Sequence, residues 1–272
     1  MEQLLYLLAL HAFLVAAVLY GAFVVRAREG LLRWAGWFSL AGFALDSLGL
    51  IDAHVSGGSV LGAAGMFYSM MAWAIVGVFH VLVLRRDVRA LGVVALPLAV
   101  LFNSLALLEG GESVTPTAPP IWVSVHVGMT TWGEALFALA AAAGVLYVYQ
   151  DYRLRKKQIH GAQYLPDLET LDELGIRLVR YGFVLLSLGV GSGVAAAYVF
   201  DRPQMLSDPI SMVFKATWGL YLALLLIRAA GRIGGRKSAL LNIGGFALAL
   251  LAMVGAFLMA DGSIHMASHG MG

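Results

Sequence analysis

The sequence predicts an all-α, polytopic membrane protein of eight transmembrane helices, with both termini on the outer side of the membrane. Three observations carry this. Of the 272 residues, 60% are hydrophobic and only 12% are charged, too few for an ordinary water-facing surface. The apolar residues come in long unbroken runs, and about 20 of them make a helix that crosses a hydrocarbon core about 30 Å thick; strands of a membrane barrel would alternate instead. Finally, the basic residues gather in every second connection.

Taken in order, the spans lie at about 3–25, 32–51, 59–84, 90–109, 121–149, 176–200, 210–229 and 238–260. The first reads as a retained helix, because Glu2 stands where a cleaved leader carries basic residues. Of the 18 Lys and Arg residues, all but Arg202 and Lys215 flank the odd-numbered turns: Arg26 to Arg33, Arg85 to Arg89, Arg153 to Arg180 and Arg228 to Lys237. Those turns are therefore expected to be cytoplasmic. The whole chain, 1–272, reads as one integral membrane domain. In the longest cytoplasmic turn, Pro166 opens what reads as a short surface helix leading into the sixth span. Its N-terminus has two candidate signals, a capping-box spacing at Thr170 and Glu173 and an N-cap at Asp167. The outer loop holding Glu109, Glu112 and Pro116 to Pro120 is the one expected to form a cap. Glycines four apart, Gly58/Gly62 and Gly189/Gly193, predict close helix contacts. No repeat relates the two halves, which argues against a transporter built on inverted repeats.

The fifth span organises the chain. It runs from Ile121 into the basic cluster Arg153, Arg155, Lys156 and Lys157, and sets His126, Thr130 and Glu134 on one helical face. Ionisable groups in a span need a reason to be there. Of the seven histidines, His160 falls in a cytoplasmic loop, His11 and His80 within spans, and His54, His126, His265 and His269 at the outer surface. Neutral imidazole is the common metal ligand and the usual axial ligand of b-type haem. Two histidines on separate helix ends can hold a haem between them; interfacial histidines bonded to headgroups would leave the same pattern. A zinc or copper site at His265 and His269, with Met266 and Met271 nearby, is a further reading, although the Gly-rich tail HMASHGMG gives no helix signal. The differing depths of His11 and His80 disfavour a haem held between them. Asp46 and Glu134 need a partner, a proton or a wet cavity, and His126, Arg202 or each other are the candidates. Asn103 and Asn242 are candidates to bridge helices, and Trp122 and Trp132 read as belt and packing aromatics. The chain has no cysteine, which excludes disulfides, thiol redox chemistry and covalent c-type haem attachment to this chain. The basic residues serve orientation at the bilayer, and nucleic acid is not an expected partner.

Three stretches carry a family resemblance. WVSVHVGMTTWGEALFALAAAAGVLYVYQDYRLRKK resembles the helix bearing the first external histidine of the cytochrome c assembly family that includes CcsA, ResC and HemX. LPDLETLDELGIRLVRYGFVLLSLGVGSGVAAAYV is similar to that family's LP-x-L-x-x-LD loop and the Gly-rich span after it. ATWGLYLALLLIRAAGRIGGRKSALLNIGGFALALLAMVGAFLMADGSIH resembles its closing helix pair and second external histidine. The resemblance covers the chain from about residue 121 onward, with a looser match over the first four spans. It implies non-covalent haem b bracketed on the outer face by His126 and His265, with His269 and His54 as weaker alternatives. It also implies a counterpart of the family's buried histidine at His80. Between spans six and seven the chain reads FDRPQMLSDPISMVFKATW, with Asp208, Pro209 and Trp218 but no tryptophan cluster. The second buried histidine, expected near Leu226 or Ile227, is missing. These departures set the chain nearer the HemX-like branch than the haem-delivering synthases.

The expectation is a haem-handling protein of cytochrome c biogenesis in a bacterial-type inner membrane. No catalytic residue is singled out; Glu134 would tune the site from below and Asp46 would assist. Expected partners are haem, lipid, apocytochrome c and a further membrane protein. Two other readings fit the residues: a b-type haem subunit of a quinone-linked electron-transfer complex, and a haem-free structural or regulatory membrane protein.

Overall fold

The computed structural model describes residues 1–26, 28–55, 61–85, 88–108, 121–157 and 165–269, apart from the side chains of 62–64, 121–123 and 257–269. Among the described residues the fold is all-helical: α1 Glu2–Arg26, α2 Glu29–Val55, α3 Gly62–Arg85, α4 Gly92–Leu108, α5 Ile121–Arg155, α6 Leu168–Val199, α7 Pro209–Ala229 and α8 Arg236–His269. Short 3-10 turns, Arg89–Leu91 and Pro203–Ser207, precede α4 and α7. All eight helices are long and apolar enough to cross a membrane, and the chain is a multi-pass membrane protein.

The most extensive helix pairs are α5–α6, then α1–α2 and α3–α4, each joining chain neighbours. α5 is the axis. In its apolar window 78% of residues are buried, against 17% in α7 and 28% in α1, so the outer helices turn most of their surface to lipid while α5 turns almost none. Its run Ala138 to Ala143 explains how it accepts neighbours all round, since small side chains let other helices approach closely. Gly133 and Gly182 face each other across the α5–α6 contact; a methyl group on Gly133 would lie 3.0 Å from the Leu186 amide nitrogen, and one on Gly182 would lie 2.9 Å from the Gly133 carbonyl.

Two expectations at the ends of the spans are corrected. The separate surface helix after Pro166 does not exist: α6 runs unbroken from Leu168, because LETLDELGIRLVRYGF keeps one apolar stripe that packs Leu171, Leu174 and Leu178 into the core. Its N-cap is Asp167, which accepts from the Thr170 amide at 2.7 Å, and not the alternative capping box. α8 continues to His269, so residues 261–269 are helical. The ends of α5 to α8 next to the α5–α6 and α7–α8 connections are bound by charge. Arg228 reaches Asp172 through two bonds of 2.8 and 2.7 Å, and Asp151 accepts from Arg155 at 3.0 Å. Arg236 stands 3.8 Å from the same Asp151 carboxylate.

Candidate functional site

His126 sits on the second turn of α5, half-buried against α6. Its Nδ1 lies 2.8 Å from the Gly189 carbonyl oxygen, which can only accept, so Nδ1 carries the proton and donates. In the neutral ring this leaves Nε2 with the free lone pair. Ser192 Oγ, 3.4 Å from Nδ1, donates to the same carbonyl at 2.8 Å. The ring is held in a glycine cradle. A Cβ at Gly193 would lie 2.7 Å from His126 Cε1, and one at Gly189 would lie 2.5 Å from Thr130 Cγ2. The expected Gly189/Gly193 contact is therefore present, and its surface is the face that carries His126 and Thr130. The Gly58/Gly62 pair lies outside the residues whose side chains are described.

The ring borders a cavity of about 470 Å³ between α5, α6, α7 and the Pro203–Ser207 turn, within the size range of small-molecule and cofactor sites. Val190, Val194, Phe200, Ile210 and Phe214 make its walls apolar. Among the described residues Arg202 and Lys215 are the charged ones that line it, with no acid. Lys215 donates through Nζ to the Leu206 carbonyl. One oriented imidazole, apolar walls and two lining cations suit a flat, mostly apolar, anionic metal chelate, so the residues present fit haem, with His126 as one residue that would hold its iron.

Other predicted residues fall elsewhere. Glu134 is two turns along α5 from His126, about 12 Å by helical rise, and is 5% exposed. It makes no hydrogen bond to a described residue. It lines a cavity of about 10 Å³ with Phe214, Thr217 and Phe246, at the lower limit for one water. Asp46 belongs to the other half. Its Oδ1 accepts from Ser69 at 3.1 Å and Asn103 at 3.4 Å, joining α2, α3 and α4, while its Oδ2 and the Asn103 Oδ1 are buried without a partner among described residues. Neither acid pairs with His126, Arg202 or the other acid; Asn103 does bridge helices, as expected. His80 faces a separate groove of about 600 Å³ at the opposite end of the bundle, with Trp37, Arg33 and Arg89, and its Nε2 lies 3.2 Å from Ser39 Oγ. His54 is in the last turn of α2 and exposed. His265 and His269 lie on the α8 backbone, but their side chains are outside the described residues, as is His160. Trp132 packs edge-on against Trp73 at 5.5 Å. Among the described residues no three His, Asp or Glu side chains gather into a metal site.

Sequence reasoning missed the shell around His126. The Gly189 carbonyl carries no sequence signal, but Ser192 within the run GVGSG was a visible one. Arg202 and Lys215 were visible too, as the only basic residues outside the odd turns.

The family described as "Cytochrome C assembly protein" matches residues 63–264, most of the chain. Relatives include the "Cytochrome c biogenesis protein CcsA" of Prochlorococcus marinus (strain MIT 9312), 26% identical over 62% of this chain and 63% of the relative. The "Inner membrane protein YpjD" of Escherichia coli (strain K12) is 24% identical over 58% and 59%. An "Uncharacterized 28.8 kDa protein in nifR3-like 5'region" of Azospirillum brasilense is 25% identical over 59% of each. The chain spans about three fifths of the length of these relatives, and a CcsA of Porphyra purpurea matches over 71% of this chain at 21% identity. No solved structure matches the chain. The matched residues take in α4 to α7, the glycine cradle and the pocket it borders, and on that extent this chain belongs to the cytochrome c assembly protein family.

Proposed function

We propose that this protein handles haem during cytochrome c assembly in a bacterial-type inner membrane, holding haem b non-covalently at its outer face. The observation that carries this reading is the His126 pocket: an imidazole with one nitrogen fixed by a backbone carbonyl, bordering a mostly apolar cavity that Arg202 and Lys215 also line. His126 and His265 of α8 would hold the haem through its iron, with His269 and His54 the weaker alternatives. The chain's work is to orient those imidazole rings and exclude water. Glu134 supports the α5 face beneath His126, and Asp46 contributes by holding α2, α3 and α4 in register. His80, in the groove at the opposite end, is a second point of haem contact. The outward-facing termini and a single membrane domain belong to the same reading.

The α6–α7 connection has no tryptophan cluster, which favours the HemX-like branch over a synthase that itself joins haem to protein. The chain then acts as a chaperone, with apocytochrome c and a further membrane protein as partners. The test is haem content by pyridine haemochrome in purified His126→Ala and His265→Ala variants. Each should lose most of its haem; full occupancy in both would remove the assignment.

A further inference from the structure

We infer that Arg202 and Lys215 together form the anion clamp of the His126 pocket and bind the two propionates of the porphyrin, fixing which edge faces the α6–α7 connection. The inference rests on the haem reading above and adds the orientation to it.

Three observations support it. Both cations line the cavity that His126 borders, and neither pairs with an acid among the described residues. Asp201 and Asp208, the acids of the same connection, do not line it. Two cations without an acid beside an apolar cavity give that cavity a positive field complementary to an anionic ligand. Second, both are anchored to one short turn. The Arg202 amide donates to the Ala197 carbonyl at 2.8 Å, and the Met205 amide to the Arg202 carbonyl at 3.1 Å, while Lys215 reaches from α7 to the Leu206 carbonyl. Third, Lys215 is nearly two turns inside α7, away from its charged end at Arg228, where a lysine is costly unless its head snorkels to a polar end. Its partner there is a neutral carbonyl, which leaves two ammonium protons available. Arg202 adds a planar fork suited to a carboxylate. One oriented imidazole and two cations lining the same apolar cavity describe a ligand with a metal centre and a dicarboxylate edge.

The test compares haem with its dimethyl ester, which keeps the iron and removes both negative charges. Soret titrations are run on the full chain in neutral detergent, with wild type, Arg202→Gln, Arg202→Gln/Lys215→Gln and His126→Ala. Arg202 is exposed, so its single variant folds whatever the fate of the double one. Wild type should bind haem about 10- to 50-fold more tightly than the ester, a gap in line with one or two charge-assisted bonds. Arg202→Gln should narrow that gap and the double variant close it, with ester affinity unchanged throughout. No gap in wild type, or the same gap in every variant, overturns the clamp, while a His126-dependent Soret band still leaves the haem site standing. Failure of both porphyrins to bind, or binding unaltered in His126→Ala, overturns both readings. Anionic oxygens could also come from lipid headgroups. In that event the porphyrin gap is absent, and native mass spectrometry finds phosphatidylglycerol retained by wild type and lost from the double variant, which refutes the clamp.

Discussion

Adding one methyl group to Gly193 tests whether the α6 glycines exist to seat His126. The built Cβ lies 2.7 Å from His126 Cε1, 3.1 Å from Nδ1 and 3.5 Å from Nε2. Ordinary carbon contacts sit at about 3.5–4.0 Å, so the ring must withdraw by roughly 1 Å. That movement is large against the 2.8 Å bond from Nδ1 to the Gly189 carbonyl, and it re-aims Nε2 within the pocket. The stability change is small, because alanine gains about 1 kcal/mol over glycine in helix propensity while overpacking costs about 1–3 kcal/mol. Binding is affected more. Disturbing the group that orients a metal-ligating histidine typically lowers affinity about 10- to 100-fold, and Gly193→Ala should weaken haem binding by that factor. Gly191 provides the control on the same helix, since a Cβ there meets nothing within 4 Å. Soret titration of both variants, with thermal melting alongside, separates the effects. If Gly193→Ala binds haem as tightly as Gly191→Ala does, the cradle has no part in positioning the ring.

The polar knot of the other half makes a stability prediction. Asp46→Ala strips the acceptor from the Ser69 hydroxyl and the Asn103 amide, both fully buried, and should cost about 2–4 kcal/mol. A thermal melt in detergent checks this, and a midpoint equal to wild type would mean that the knot does not hold α2, α3 and α4. Asp167 makes a pH prediction. The Thr170 amide and hydroxyl hold its carboxyl below the ordinary aspartate range. Because the folded value is the lower one, the cap contributes fully above the unfolded-state value of about 3.9 and is lost as pH falls through the folded value. The protection factors of the first-turn amides of α6, exchange rates divided into their intrinsic values at each pH, should therefore fall with acidification in wild type, by the loss of about 1 kcal/mol, and stay flat in Asp167→Asn, which caps without titrating. An equal pH response in the two proteins would refute the cap.

Spans were legible in the sequence because hydrophobicity and length alone decide them. All eight appear, and the long α5 that looked central is the most buried helix. What was not legible depends on contacts distant in sequence. Asp46 and Glu134 looked alike as lone carboxylates, yet one is bonded across three helices and the other faces a water-sized space with no hydrogen-bond partner among the described residues. No periodicity distinguishes those outcomes, because each depends on which helix arrives opposite. The extent of α6 was misjudged because Pro166 reads as a turn and charged residues follow it; the apolar stripe through them carries the helix on. His126 was found by its depth and residue type, but its tautomer rests on a carbonyl 63 residues away.

Haem ligation by the Nε2 atom of His126 is the central claim to test. The direct measurement is the absorption spectrum of haem-loaded wild type and His126→Gly, each recorded with and without added imidazole. The account predicts a low-spin b-type spectrum in wild type, its loss in the variant, and its return when imidazole fills the space the side chain left. A low-spin spectrum in His126→Gly without imidazole, equal to that of wild type, would contradict it.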